Sequence, residues 1–136
     1  MKIVLDTNVL VSALLKPNSI PGRILDLVLA RQVVIVLDHR IFVEYRDVLN
    51  RPEFVLPRDA VTDLLDFLWH SSERIQGGEF AVQLPDPEDR MFIEVAVSSL
   101  ADVLVTGNIK HFPTSQRHGV HVLTPRQFLD LWVEKK

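Results

Sequence analysis

The sequence contains no cysteine among its 136 residues, and this absence removes several classes of function at once. Disulfide frameworks, thiolate nucleophiles and cysteine-ligated zinc or iron–sulfur centres are all excluded. The lack of cysteine is consistent with a reducing cytoplasm, where we expect the protein to be located. No apolar run approaches the roughly 20 residues needed to cross a bilayer, so no membrane partner is expected.

A glycine-rich binding motif and a basic net charge are also absent from the sequence. The five glycines do not form a phosphate-binding or dinucleotide-binding loop, and no serine lies in a nucleophile-elbow sequence. The net charge is −3, whereas nucleic-acid-binding proteins are more often basic overall. The charge therefore counts mildly against a nucleic-acid partner, although a carboxylate-lined metal site would itself contribute negative charge.

Short apolar runs alternate with helical patterns along the whole chain. The length and the 47% apolar content predict one globular domain covering residues 1–136. The runs predict strands at 3–5, 33–37, 103–105 and 120–123, with helices at 9–15, 21–29, 41–49, 61–70, 86–100 and 125–132. Uninterrupted apolar strands separated by helices are typical of a parallel sheet covered on both faces. We therefore predict a three-layer α/β/α domain around a parallel sheet of four or five strands.

Polar side chains collect where these strands end and where the following helices begin. In parallel sheets, ligands bind at the carboxyl ends of the strands, and carboxylate and amide oxygens are the donors that Mg²⁺ and Mn²⁺ prefer. The sequence therefore predicts a metal site at this edge of the sheet. The polar residues gathered there are Asp6, Thr7, Asn8, Glu44, Asp86, Glu88, Asp89, Thr106 and Asn108.

Each of these residues also has a simpler interpretation. Asp6 and Asp86 stand where helix N-caps are expected, and Asp89 fits the acidic third position of a capping box. Glu44 fits a solvated helix position, and Thr106 an ordinary strand-to-turn transition. The metal site is indicated by the convergence of several such groups at one edge of one sheet, not by any single residue.

A basic cluster follows Asn108. It has two interpretations, a polar surface loop or a small patch that contacts phosphate. Its members are Lys110, His111, Arg117, His118 and His121.

Four sequence blocks resemble the PIN-domain family, and in particular its branch of VapC-like toxin components of toxin–antitoxin systems. The blocks run in the family's order at residues 4–13 (VLDTNVLVSA), 44–54 (EYRDVLNRPEF), 86–96 (DPEDRMFIEVA) and 101–108 (ADVLVTGN). One block alone would be a weak match, whereas four in order make a specific one.

The resemblance implies an endoribonuclease that depends on Mg²⁺ or Mn²⁺. It implies that Asp6, Glu44 and Asp89 form the catalytic, metal-binding acidic site, with Asp86 as a neighbouring metal ligand. The same resemblance implies that Asn8 and Thr106 support the carboxylate of Asp6. Many family members carry a further acid after the Thr-Gly pair, but this chain has Asn108, which leaves one or two metal ions open. RNA as substrate, a small antitoxin protein as partner and a homodimer are also implied.

Two alternatives to the ribonuclease are kept. The first is a PIN-like module that has weak or no catalytic activity and serves as an interaction domain, favoured by Asn108 and by the acidic net charge. The second is a domain similar to phospho-receiver modules, which also place an acid after the first strand. Such modules normally have adjacent acids there and a strand-end lysine, neither of which occurs in this sequence.

Overall fold

The computed structural model describes residues 1–76, 78 and 82–135. The strands are β1 (Lys2–Leu5), β2 (Val34–Leu37), β3 (Glu73–Arg74), β4 (Val103–Val105) and β5 (Val122–Leu123). The helices are α1 (Thr7–Leu15), α2 (Ile20–Leu29), α3 (His39–Leu49), α4 (Arg58–Ser71), α5 (Arg90–Ser99) and α6 (Pro125–Lys135). A 3₁₀ turn, Pro87–Asp89, leads directly into α5.

The five strands form one parallel sheet in the order β3-β2-β1-β4-β5. Helices flank this sheet, so the predicted α/β/α fold with four or five strands is confirmed. The chain moves outward from β1 to β3 and then returns to place β4 on the other side of β1. Such a reversal of strand order opens a crevice at the carboxyl ends of the two strands concerned, here β1 and β4.

The sheet is central because its strands are apolar throughout. Val4, Val36 and Leu104 are fully buried, as expected for strands covered on both faces. Helix α5 packs against β1, β2 and β4. Because a helix that connects parallel strands runs back against them, α1, α3 and α5 all begin at the carboxyl edge of the sheet. The residues that start these helices therefore meet the residues that end β1 and β4.

The structure differs from the prediction at one strand and at the starts of two other elements. β3 was not predicted, because Glu73–Arg74 carries no apolar residue and its pairing comes from β2. β5 begins at Val122 rather than at Val120, whose N–H is held in a turn by the carbonyl of Arg117 at 2.9 Å. The helix expected from residue 86 is divided, since the 3₁₀ turn Pro87–Asp89 precedes α5.

None of the helices in the described part of the chain combines the length and the apolarity that a membrane crossing requires.

Candidate active site

The carboxyl group of Asp6 lies in the crevice between β1 and β4. Asp6 directly follows Leu5, which is in register with Val105, so Thr106 lies opposite Asp6 on the neighbouring strand. The Thr106 hydroxyl donates a hydrogen bond of 2.7 Å to Asp6 Oδ2, and it accepts one of 3.0 Å from the N–H of Asn108. Asp6 is only 4% exposed. The register between β1 and β4 thus places the Thr106 hydroxyl where it holds this carboxyl group.

Helix capping is only part of the role of Asp6. It occupies the N-cap position of α1, where within the described residues its side chain makes no capping hydrogen bond of ordinary geometry, although the N–H groups at the start of α1 favour its charged form. Burial raises the pKa of Asp6, while the Thr106 hydroxyl and the N–H groups of Asn8 and Thr7 act in the opposite direction. These N–H groups belong to the positive end of the α1 dipole, which favours a negative charge. Asp6 is therefore a buried acid with partial compensation for its charge.

Two hydrogen bonds tie α3 to the residues on either side of Asp6, one to Thr7 at the start of α1 and one to Leu5 at the end of β1. The Thr7 hydroxyl donates to Glu44 Oε2, and the hydroxyl of the fully buried Tyr45 donates to the carbonyl of Leu5. Burial raises the pKa of Glu44, and the negative charge of Asp6 raises it further. Burial likewise raises the pKa of Tyr45, which keeps its hydroxyl protonated as a donor.

Asp89 ends the 3₁₀ turn before α5 and faces the loop that follows β4. Its Oδ2 lies 3.1 Å from Nδ1 of His111. Burial, followed by the charges of Asp6 and Asp86, raises the pKa of Asp89 to about 6, although His111 acts against this shift. The repulsion between Asp6 and Asp89 indicates that their carboxyl groups share one electrostatic environment.

The remaining predicted site residues lie around these three acids in different roles. Asp86 accepts a hydrogen bond of 3.0 Å from the N–H of Glu88, which makes it an N-cap. The side chains of Asn8 and Asn108 are exposed, and both residues act on the site through their backbone N–H groups. The structure therefore places Glu44 and Asp89 within the electrostatic reach of Asp6, with Thr106 in direct contact with Asp6.

Three residues that hold the acids at this site were not predicted to do so. His111 was considered only within a basic patch, yet it pairs with Asp89. Thr7 was named only among the polar residues that follow β1, yet its hydroxyl bonds Glu44. Tyr45 was assigned no role, although it attaches α3 to the end of β1. The sequence carries one signal for Tyr45, since it stands next to Glu44 on the apolar side of the helix pattern. Nothing in the sequence pairs residue 89 with residue 111.

The donor chemistry of the three acids fits a hard divalent cation, but their arrangement is not a closed cage. Within residues 1–76, 78 and 82–135, no group of three or more His, Cys, Asp or Glu side chains is placed to hold a metal ion as it stands. Carboxylate oxygens are the ligands that Mg²⁺ and Mn²⁺ prefer. The pKa values of Glu44 and Asp89 are raised in part by the charge of Asp6, and a cation would relieve this repulsion.

Comparison with known families identifies the class of this fold and site. The PIN domain family matches residues 2–110, which is most of the chain. The chain therefore belongs to the PIN-domain family. PIN domains are generally nucleases, and those that are nucleases typically use divalent metals.

Two individual proteins are similar over nearly the full length. An uncharacterized protein of Methanocaldococcus jannaschii, MJ1680, is 29% identical over 142 aligned positions, covering 96% of this chain and 90% of the relative. The crystal structure of VapBC2 from Rickettsia felis, bound to a DNA fragment from its promoter, contains a chain with the same fold. That match has a TM-score of 0.60 at 18% sequence identity and covers 91% of this chain and 98% of the other.

Proposed function

We propose that this protein is a metal-dependent endoribonuclease that hydrolyses RNA phosphodiester bonds at the Asp6–Glu44–Asp89 site. One observation carries the proposal. Acids from three separate elements lie near the carboxyl edge of the sheet, and burial together with the charge of Asp6 raises the pKa values of Glu44 and Asp89. Perturbed carboxyl groups clustered in a crevice are typical of functional sites. Membership of a family that generally consists of nucleases agrees with this assignment.

Asp6, Glu44 and Asp89 would hold Mg²⁺ or Mn²⁺, with Asp86 and Asn108 as further oxygen donors nearby. When bound, such an ion lowers the pKa of a coordinated water and neutralises charge on the transferring phosphate. Thr106 holds Asp6 through its hydroxyl, and Thr7 holds Glu44 in the same way. His111 holds Asp89 through Nδ1. Each acid thus has a partner that limits its rotation, as ligating carboxylates usually do.

Asn108 favours one tightly held ion over two. Its side chain is a neutral amide where many family members carry an acid, and it is exposed. An amide oxygen can coordinate Mg²⁺, but it adds no negative charge to balance a second cation.

The substitution Asp6→Asn tests the proposed activity. It keeps the shape of the side chain and removes its charge. Loss of a residue that supports a metal ligand typically lowers metal affinity or activity about 10- to 100-fold. Loss of a ligand itself should therefore reduce cleavage of a fluorogenic RNA by more than about 100-fold. Cleavage should also require Mg²⁺ or Mn²⁺ and stop with EDTA. Asp63→Asn, on the exposed face of α4, is the matched control and should cleave like the unmodified protein. Full activity of Asp6→Asn would refute the assignment.

We further propose that the protein acts as a toxin that a small antitoxin protein neutralises, and that it forms a homodimer. The similar fold in a VapBC2 complex supports this proposal. Expression of the chain alone should arrest growth, and co-expression of a small neighbouring gene product should restore it. Growth arrest that persists in Asp6→Asn would separate toxicity from the proposed nuclease site.

A second candidate function is a PIN-like interaction module without catalysis. It is favoured by the open arrangement of the described acids and by the amide at position 108. This candidate predicts that the protein binds a partner protein normally but does not cleave RNA, whichever divalent metal is added. A phospho-receiver role has no support from the family to which the chain belongs.

A further inference from the structure

An ionic cross-link joins α3 to α5 beside the acidic site, and none of its three residues belongs to that site. Arg40, in the first turn of α3, donates from Nε to Asp38 Oδ2 at 2.8 Å. It also donates from Nη1 to Glu94 Oε1 on α5 at 2.7 Å. Arg90, at the start of α5, approaches the other oxygen of Glu94 at 4.0 Å. Two helices that are distant in sequence are therefore tied by one guanidinium group.

Both carboxylates of the cross-link are deeply buried. The Glu94 side chain is 2% exposed and the Asp38 side chain 6%, whereas the Arg40 side chain is 38% exposed. Removal of a charged partner from a buried carboxylate is strongly destabilising, so the guanidinium group of Arg40 offsets part of the cost of burying both acids. Burial alone would lower the pKa of Arg40, but its bonds to Glu94 and Asp38 outweigh that effect and raise it. Arg40 therefore stays charged and bound.

The cross-link lies close to two proposed metal ligands along their own helices. Arg40 precedes Glu44 by four residues, which places both on one face of α3. Glu94 follows Asp89 by five residues at the start of α5. Arg40, Glu44 and Glu94 all line one groove of about 490 Å³ between α3 and the start of α5. Asp89 directly precedes α5, so the separation of α3 and α5 at this groove affects how far Glu44 lies from Asp89.

We propose that Arg40 is a positioning residue, whose bonds to Asp38 and Glu94 hold α3 and α5 at the separation that lets Glu44 and Asp89 bind the same divalent cation. This inference rests on the proposed function, because it assumes that the acids bind a metal. The geometry of a guanidinium group suits the role, since its planar fork holds two carboxylates in fixed directions, which a lysine ammonium group does not.

The experiment compares metal affinity with stability in three variants. Mn²⁺ binding is measured without RNA, from the electron paramagnetic resonance signal of free Mn²⁺, at a temperature where every variant is folded. Arg40→Met should weaken Mn²⁺ binding by about 10- to 100-fold, the usual range for residues that support metal ligands. Arg40→Lys keeps the charge but loses the fork, and should recover only part of the affinity.

The double variant Arg40→Met, Glu94→Leu separates positioning from stability. It removes the Glu94 carboxylate together with its guanidinium partner, so its melting temperature should rise above that of Arg40→Met, while Asp38 keeps its bond to the N–H of Ile41. Its Mn²⁺ affinity should remain weak, because the bond that sets the helix separation is still missing. A merely structural cross-link would instead recover both quantities together. Val28→Ala, in the core of α2, is the matched control: it should lower the melting temperature without changing Mn²⁺ affinity.

The results distinguish failure of the positioning role of Arg40 from failure of the proposed ribonuclease activity. Normal Mn²⁺ affinity in folded Arg40→Met would overturn the positioning role, as would recovery of affinity in the double variant. If the unmodified protein binds Mn²⁺ but does not cleave RNA, the proposed function fails while the Mn²⁺ measurements still test Arg40. If the unmodified protein binds no Mn²⁺, the positioning role is overturned as well.

Discussion

At the scale of single residues, the chemistry of this site follows from burial of acids close to one another. Asp6, Glu44 and Asp89 all have raised pKa values, and burial is the largest cause for each. Asp89 is shifted to about 6, which brings its titration close to neutral pH. An acid in this state releases its proton readily when a cation arrives, so metal binding and proton release are coupled.

The raised pKa of Asp89 predicts the pH dependence of stability in the absence of metal. Its folded pKa of about 6 lies above its ordinary value of 3.8, so between these values the folded state binds the proton more tightly. Its contribution to stability is therefore largest below about pH 4 and is lost as the pH rises through 6. With EDTA present, the free energy of unfolding of Asp89→Asn, relative to the unmodified protein, should increase on the order of 1–2 kcal/mol from pH 4 to pH 7.

Urea unfolding at several pH values measures this difference. Asp63→Asn, which is exposed, serves as the control and should show no comparable step. A difference between Asp89→Asn and the unmodified protein that is constant from pH 4 to pH 7 would contradict the prediction.

At the scale of elements, the ends of helices determine where the acids lie. Asp38 caps α3 by accepting from the N–H of Ile41 at 3.0 Å, and Asp86 caps the turn that carries Asp89. The C-terminal end of α5, in contrast, carries a residue whose backbone conformation is unfavourable. Leu100 follows the last residue of α5 with φ of 55°, a left-handed conformation that is unfavourable for a side chain with a Cβ.

Replacement of Leu100 by glycine should stabilise the protein. Glycine adopts the left-handed conformation without steric cost, and helices often end on it. Leu100 is 87% exposed, so little packing is lost. We expect a gain of about 1 kcal/mol in the free energy of unfolding, measured by urea denaturation. Leu100→Ala removes the apolar side chain but keeps the Cβ, and it should show no such gain. Equal stabilisation by alanine would mean that exposure, not backbone conformation, is the cause.

At the scale of the whole molecule, the acidic site lowers the stability of the folded state, and the hydrophobic core offsets this loss. A continuous core surrounds the sheet, and the site lies where the strand order reverses. Three neighbouring acids held there repel one another without a cation. The folded protein should therefore gain stability from metal, because the unfolded chain does not bring the acids together.

Addition of Mg²⁺ or Mn²⁺ at neutral pH should raise the melting temperature. At an ion concentration 100 times the dissociation constant, the gain is about 2.7 kcal/mol. Differential scanning calorimetry at increasing concentrations of Mn²⁺ measures it. The gain should disappear in Asp6→Asn and persist in Asp130→Asn, an exposed acid of α6. A rise of the same size in Asp6→Asn would place the ion elsewhere.

The sequence determined the fold class and the first members of the site because these depend on local signals. Four apolar runs separated by helical patterns already implied a parallel sheet, and the residues that end β1 and β4 already implied its functional edge. Asp6 and Thr106 could be placed at one edge for this reason. The blocks around Asp6, Glu44, Asp89 and Asn108 indicated the family, to which the chain belongs.

Only the tertiary structure decided which polar residues touch. β3 has no sequence signal, because two charged residues form a strand only where β2 offers free backbone groups. His111 pairs with Asp89 across 22 positions, and Arg40 pairs with Glu94 across 54. Apolar periodicity records which face of an element is buried, but a buried ion pair depends on distances between elements that no local pattern encodes. The edge of the sheet was therefore predictable, whereas the partners that hold its acids in place were not.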